Sequence, residues 1–147
     1  MDKEIRLYLE GELTLQANGK WFHQGQEITN QKISDLFHRS IIKDPESGYR
    51  IKIRYFSASF KIEQVPFFIA TIYETENELK AVLLGGKEAK LDLTTLSLKD
   101  SELFCDFDSN TAKFLTAAYQ LLVQYLISSD TIEFKGKQYP IKNADGI

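Results

Sequence analysis

Tyr49-Arg50-Ile51-Lys52-Ile53-Arg54-Tyr55 alternates an apolar or aromatic side chain with a cation at every step. A period of two is the period of a β-strand, so one face is apolar and the other charged. The pattern predicts a strand with Ile51, Ile53 and Tyr55 turned inward and Arg50, Lys52 and Arg54 turned out. The same reading extends both ways along the chain. Leu13 and Leu15 alternate with polar neighbours, as do Phe60 and Ile62. Phe67 to Tyr73 and Leu79 to Leu84 form apolar runs separated by Thr75-Glu76-Asn77-Glu78, and Ala89, Leu91 and Leu93 follow Gly85-Gly86. Short strands joined by tight turns are expected to dominate.

Turn chemistry supports this. Asn18-Gly19 is a strong hairpin dipeptide because both residues tolerate positive φ. Trp21-Phe22 and a Gly25 turn come next. Val65-Pro66 interrupts strand pairing, since proline has no N–H to donate. Two helices are expected. The first starts at a Thr29 cap, buries Ile33, Leu36, Phe37 and Ile41, exposes Gln31, Lys32, Asp35, His38 and Arg39, and stops at the Lys43–Gly48 segment. The second starts at a cap within Asp108-Ser109-Asn110 and carries Phe114, Ala118, Leu121, Leu122 and Tyr125 on its inner stripe. Leu115, Tyr119, Val123, Leu126 and Ile127 make it apolar nearly all round, which predicts cover on more than one side. The fold class is α+β, mostly antiparallel.

The chain has 147 residues, a length that suits one domain or two small packed modules. With 43% apolar residues a core is expected, and a net charge of -3 gives no bulk attraction to nucleic acid or anionic membranes. The charged opening Met1-Asp2-Lys3-Glu4 and the lack of a long apolar run give no signal peptide or membrane helix. A lone cysteine, Cys105, excludes an intramolecular disulfide and fits a reducing compartment. Cytoplasm is the expected location.

The row Arg50, Lys52 and Arg54 supplies the main candidate site. Three cations on one face repel unless carboxylates or a bound anion compensate, and Glu63, expected on the following strand, is one candidate counter-ion. A solvated sheet face is one reading. An anion or phosphate site, matched by the planar fork of arginine, is the other. Trp21 and His23 share a strand face and offer either a stacking surface or core packing.

Other motifs fail on chemistry. His23, His38 and Asp35 make too improvised a set for zinc, so no metal or cofactor is expected. Ser34, Asp35 and His38 lack a nucleophile elbow and an oxyanion hole. Asp106-Phe107-Asp108-Ser109-Asn110 opens like a calcium loop but has Thr111 where glycine is needed and Ala117 where glutamate is needed. Gly85-Gly86-Lys87 lacks the earlier glycine and the following Ser or Thr of a phosphate loop. Cys105 reads as packing.

Trp21-Phe22-His23-Gln24-Gly25-Gln26-Glu27-Ile28 parallels Glu133-Phe134-Lys135-Gly136-Lys137-Gln138-Tyr139, a faint internal repeat. The order Gly19-x-Trp21-Phe22-x-x-Gly25-x-x-Ile28, Leu36-Phe37, Gly48-Tyr49, Ile62-Glu63-x-x-Pro66-Phe67 resembles a bacterial family catalogued as domain of unknown function twelve-eighty-five. The resemblance covers mainly the N-terminal half. It implies two duplicated α+β modules, set at 1–65 and 66–147, the second like a pleckstrin-homology domain. It also implies a groove site for a nucleotide-like ligand and a role in signalling, with Trp21, Glu63 and Pro66 on matching positions. The expected function is a non-catalytic ligand-binding or regulatory domain that holds a small anionic ligand at Arg50, Lys52, Arg54, Trp21, His23 and Glu63. The alternative is a protein-interaction or homodimerisation module.

Overall fold

Left-handed residue pairs close several hairpins of this chain. Gln24 and Gly25 have φ of 48° and 82°, and Lys135 and Gly136 repeat this at 50° and 80°. Asp100-Ser101 and Asp108-Ser109 do the same without glycine. Two successive positive φ values are the mark of the turn whose twist matches paired strands. The computed structural model describes residues 2–143; Met1 and the end of the second expected module, 144–147, lie outside the described residues.

The described chain falls into two compact units. The first runs to Pro66 and takes in Leu84–Gly86; the second comprises Phe67–Leu83 and the residues from Lys87 onward. The fold is α+β, with mostly antiparallel strands in several sheets.

The first unit contains α1 (Lys3–Glu10), β1 (Leu13–Leu15), β2 (Trp21–His23), β3 (Gln26–Glu27) and α2 (Gln31–Arg39). It continues with β4 (Ile41–Asp44), β5 (Gly48–Ile53), β6 (Phe56–Ser59) and β7 (Lys61–Ile62). One sheet has the order β3-β2-β1-β7, with β1 and β7 parallel, and another the order β4-β5-β6. Leu13, Leu15, Trp21, Phe37 and Ile51 are among its most deeply buried side chains.

Helix α1 precedes both of the helices expected from the sequence. The Asp2 side chain accepts a hydrogen bond from the Glu4 N–H and caps the helix, and Leu9 is buried. Helix α2 starts one residue later than expected, because the Asn30 side chain, not Thr29, accepts from the N–H groups of Lys32 and Ile33. It ends at Arg39, and Ile41 begins a strand instead of closing the helix's apolar stripe.

The second unit contains β8 (Phe67–Glu74), β9 (Leu79–Leu83), β10 (Glu88–Lys90), β11 (Asp92–Lys99), β12 (Glu102–Phe107) and β13 (Asn110–Phe114). Helix α3 (Thr116–Leu122) follows and runs into a 3-10 turn, Val123–Tyr125. The described chain closes with β14 (Thr131–Phe134), β15 (Lys137–Pro140) and β16 (Lys142–Asn143). Seven strands pair in the order β10-β9-β8-β13-β12-β11-β16, with β8/β13 and β11/β16 parallel, while β14 and β15 form a separate hairpin. A single apolar cluster from Ile69 through Phe114, Leu122 and Ile132 forms the core of this unit.

The long second helix of the sequence reading is shortened to seven residues. Asp108-Ser109 turns the β12–β13 hairpin, and Phe114 ends a strand. Small oxygen-bearing residues serve helix caps and left-handed turns alike, so local chemistry alone does not separate the two. The two repeat-like hairpins share their turn geometry, but one leads into α2 and the other follows the helical segment of the second unit.

Candidate ligand site

The structure breaks up the expected site. Arg50 and Lys52 do lie on one face of β5, opposite Ser59 and Ser57 of β6. Arg50 is engaged, its Nε donating to Ser57 Oγ at 2.7 Å. Its charge is also the smallest of the influences that hold the Asp44 carboxyl below the usual range, after hydrogen bonds from the Glu46 and Ser47 N–H groups. Arg54 corrects the expected row of three. β5 stops at Ile53, and Arg54 turns the hairpin with φ of 55°. Tyr55, expected inside, stands fully exposed at the tip of that turn. A two-residue turn ends the period-two alternation wherever it falls.

Glu63 also departs from its expected role. It belongs to the β1/β7 pairing, where its N–H donates to Leu15 O at 3.0 Å and its Oε1 accepts from the Ala17 N–H at 3.3 Å. It therefore belongs to a different sheet from Arg50 and Lys52. Trp21 is fully buried, its ring 5.7 Å from Phe37, 5.4 Å from His38 and 5.2 Å from Phe60. The His23 ring packs edge-on to Tyr8 at 5.1 Å. These two rings pack inside the unit and offer no open stacking surface.

Gly11 makes room for His23. A Cβ added at Gly11 would overlap His23 Nε2 and Cδ2 and sit 3.2 Å from Gln24 Nε2, although the Gly11 backbone is extended and needs no special φ. Gly11→Ala is therefore expected to cost about 1 kcal/mol, the low end of overpacking, because an imidazole can swing aside. Urea denaturation checks the loss, and the Tyr8–His23 contact should be disturbed in NMR spectra of the same variant.

Residues that tempt a catalytic reading are spoken for. His38 corrects the sequence expectation of exposure: it is buried, hydrogen-bonded to the Gly19 backbone and packed at a tilt against the Trp21 ring. Burial pushes its pKa down to about 4. Asp35 Oδ1 accepts from Gln31 Nε2 at 2.8 Å. Cys105 is buried and its thiol donates to Asp92 O at 3.2 Å, with burial the largest influence pushing its pKa up to about 12. A thiol so placed is a poor nucleophile. Among the described residues no three His, Cys, Asp or Glu side chains are grouped to hold a metal ion, and no helix is long and apolar enough to cross a membrane.

A pocket of about 330 Å³ lies in the second unit, and none of the candidate site residues of the sequence lines it. Leu98 and Leu103 face one another across β11 and β12 and form one wall. Leu122, Val123 and Leu126 supply another, and Ile132 and Ile141 a third. Tyr119, Ser129, Asp130, Lys142 and Asn143 supply the polar groups of the pocket rim. Local hydrogen bonds shape that rim. The Ile141 N–H donates to Asp130 O at 2.6 Å, and Asp130 Oδ1 accepts from Ser128 Oγ at 3.1 Å and Thr131 Oγ1 at 3.2 Å. Leu126 bridges to Ile132, and the Ile127 N–H donates to Thr131 O at 2.9 Å, which folds the segment after α3 back on itself.

The sequence held one trace of this pocket. Leu121, Leu122, Val123 and Leu126 surround their segment with apolar side chains, more than a single sheet face covers. A second, more open cleft of about 540 Å³ includes Glu78, but Lys80 and Lys90 already pair with that carboxylate at 3.6 and 3.4 Å.

No protein-family model and no curated protein matches the chain. Two crystal structures do. A DUF1285 family protein from Shewanella baltica OS155 superposes with a TM-score of 0.62 at 17% identity, covering 78% of this chain and 92% of that one. A DUF1285 family protein from Silicibacter pomeroyi DSS-3 gives a TM-score of 0.68 at 12% identity, covering 99% of this chain and 91% of its own. At these identities the likeness is one of fold. That fold is the fold of two DUF1285 family structures, the family that the run of motifs from Gly19 to Phe67 resembles.

Proposed function

We propose that this chain is a non-catalytic ligand-binding domain, and that its small-molecule site is the pocket of the second unit. The single observation that carries this reading is the composition of the cavity: a mostly aliphatic lining with a few polar and charged groups among it. Small-molecule sites have this make-up, an apolar enclosure for the body of the ligand and a few polar groups that fix its orientation. The site at Arg50, Lys52 and Arg54 is not retained, because Arg54 lies in the turn beyond the strand that carries the other two and Arg50 already donates to Ser57. A regulatory role follows if ligand occupancy changes what the domain binds next.

The test is occlusion. Val123 is a half-buried wall residue, so Val123→Trp should fill the pocket while leaving the core cluster in place. Small apolar probes such as benzene or indole, titrated into the ¹⁵N-labelled protein, should shift the amide signals of Leu98, Leu122 and Ile132. The same probes should leave those signals unmoved in the tryptophan variant. Shifts that persist unchanged in Val123→Trp, or that map to other parts of the chain, would remove the proposal.

A further inference from the structure

We infer that the ligand of this pocket is a medium-length aliphatic carboxylate, lying along the leucine and isoleucine walls with its head group at Lys142. The inference rests on the reading of the pocket as a ligand site and adds the chemical class. Three observations lead to it.

The walls are aliphatic. Leu98, Leu103, Leu122, Val123, Ile132 and Ile141 leave Tyr119 as the aromatic lining side chain, and Tyr119 is partly exposed. A nucleobase is held by stacking on aromatic faces, and such a platform is missing from these walls. An unbranched chain packs against leucine and isoleucine equally well along its length. The volume sets that length. At about 30 Å³ for each water-sized group, 330 Å³ holds about 11 such groups, which corresponds to a chain of eight to ten carbons and its head.

The rim chooses the head. It carries one cation, Lys142, and one carboxylate, Asp130. Asp130 already accepts hydrogen bonds from Ser128 and Thr131, and its backbone carbonyl accepts from Ile141. Neither charge makes an ion pair among the described residues, but Asp130 Oδ1 already accepts two hydrogen bonds while the Lys142 ammonium makes none there, so Lys142 has the more to gain from a ligand. A carboxylate gains a charge-assisted hydrogen bond from an ammonium that has none, whereas an amine meets an Asp130 whose Oδ1 already accepts two hydrogen bonds and has only Oδ2 to receive it.

The experiment titrates straight-chain carboxylates of four to fourteen carbons into the full chain, followed by NMR, with decanol and decylamine as head-group controls. Affinity should rise about fourfold for each added methylene up to eight to ten carbons and then level off. Decanoate should bind more tightly than decanol, and decylamine most weakly. Lys142→Glu should weaken decanoate about tenfold and leave decanol unchanged. Preference for decylamine would assign the anchor to Asp130 and overturn the inference. Equal binding of all three head groups, or no effect of Lys142→Glu, would overturn it as well while leaving the pocket a ligand site. If benzene and indole occupy the pocket but no chain compound does, the aliphatic class fails alone. If Val123→Trp changes the response to no probe at all, both this inference and the pocket reading fall together.

Discussion

Gly85→Ala is expected to lower stability by about 3 kcal/mol, whereas Gly86→Ala next to it costs about 1 kcal/mol. Both glycines have φ near +97°, at 96° and 97°, where a side chain is strained at a cost of about 1 kcal/mol or more. They differ in what surrounds them. A Cβ at Gly86 meets nothing within 4 Å. At Gly85 it would lie 2.7 Å from Arg39 N, 2.8 Å from His38 Cβ and 3.0 Å from Asp35 O. Two of these three are backbone atoms of the last turns of α2, which cannot swing away, so overpacking adds about 2 kcal/mol. Paired urea titrations of the two variants and the parent measure the difference. Equal losses would show that the turn meets α2 less closely than the structure places it.

Acid should weaken this protein well above the range in which carboxylates titrate, by about 2 kcal/mol between pH 7.5 and pH 5. The source is His38. Its folded pKa is lowered to about 4 against 6.5 for an ordinary histidine, chiefly because burial disfavours the charged ring. The hydrogen bond to Gly19 and the charge of Asp35 pull the other way and only partly offset burial. With the folded pKa depressed, the unfolded chain takes up the proton first. The stabilisation is complete above about pH 6.5 and is lost as pH falls towards 4, at about 1.4 kcal/mol per pH unit within that window.

His38→Gln keeps a side-chain donor for Gly19 and removes the titration, so its stability should stay nearly flat between pH 7.5 and pH 5. Trp21, the single tryptophan, sits 5.4 Å from the His38 ring and reports the unfolding by fluorescence. A parent protein as pH-independent as the glutamine variant would contradict the buried, neutral imidazole.

Neither effect is visible in the composition, and both come from close approach. His38 follows Phe37 on α2, and the sequence reading places it on the exposed face of an amphipathic stripe. Burial reaches it because Trp21 and Gly85 come in from other segments. Gly85-Gly86 read as a turn, which it is. That one glycine serves the turn while the other makes room for a helix depends on a neighbour some fifty residues away in the chain.

The candidate site shows the same division. Alternation placed Arg50 and Lys52 on one strand face, because side-chain direction in a strand is a local property. It could not place Arg54, whose direction is set by where the hairpin turns, or Glu63, whose strand pairs in parallel with β1 instead of continuing the β4-β5-β6 sheet. Trp21 and His23 were legible as aromatic strand residues that either stack a ligand or pack in the core, and the structure takes the second course. An aromatic ring is equally at home in a core and on a binding surface, and burial is decided by what packs over it. The pocket at Lys142 draws on β11, β12, α3, β14 and β16, so no contiguous motif could announce it.

By itself the sequence determined the fold class, the strand-dominated order, most of the hairpins and the poor fit of the catalytic, calcium and phosphate-loop motifs. Each of these depends on residue type, on spacing along a few neighbouring residues, or on the backbone freedom of one or two turn residues. Only the tertiary structure decided which polar side chains are buried, which cations share a face, and where a cavity remains between packed elements. Those outcomes belong to surfaces assembled from segments far apart in the chain, and their energies arise from contacts that do not exist until the strands have paired.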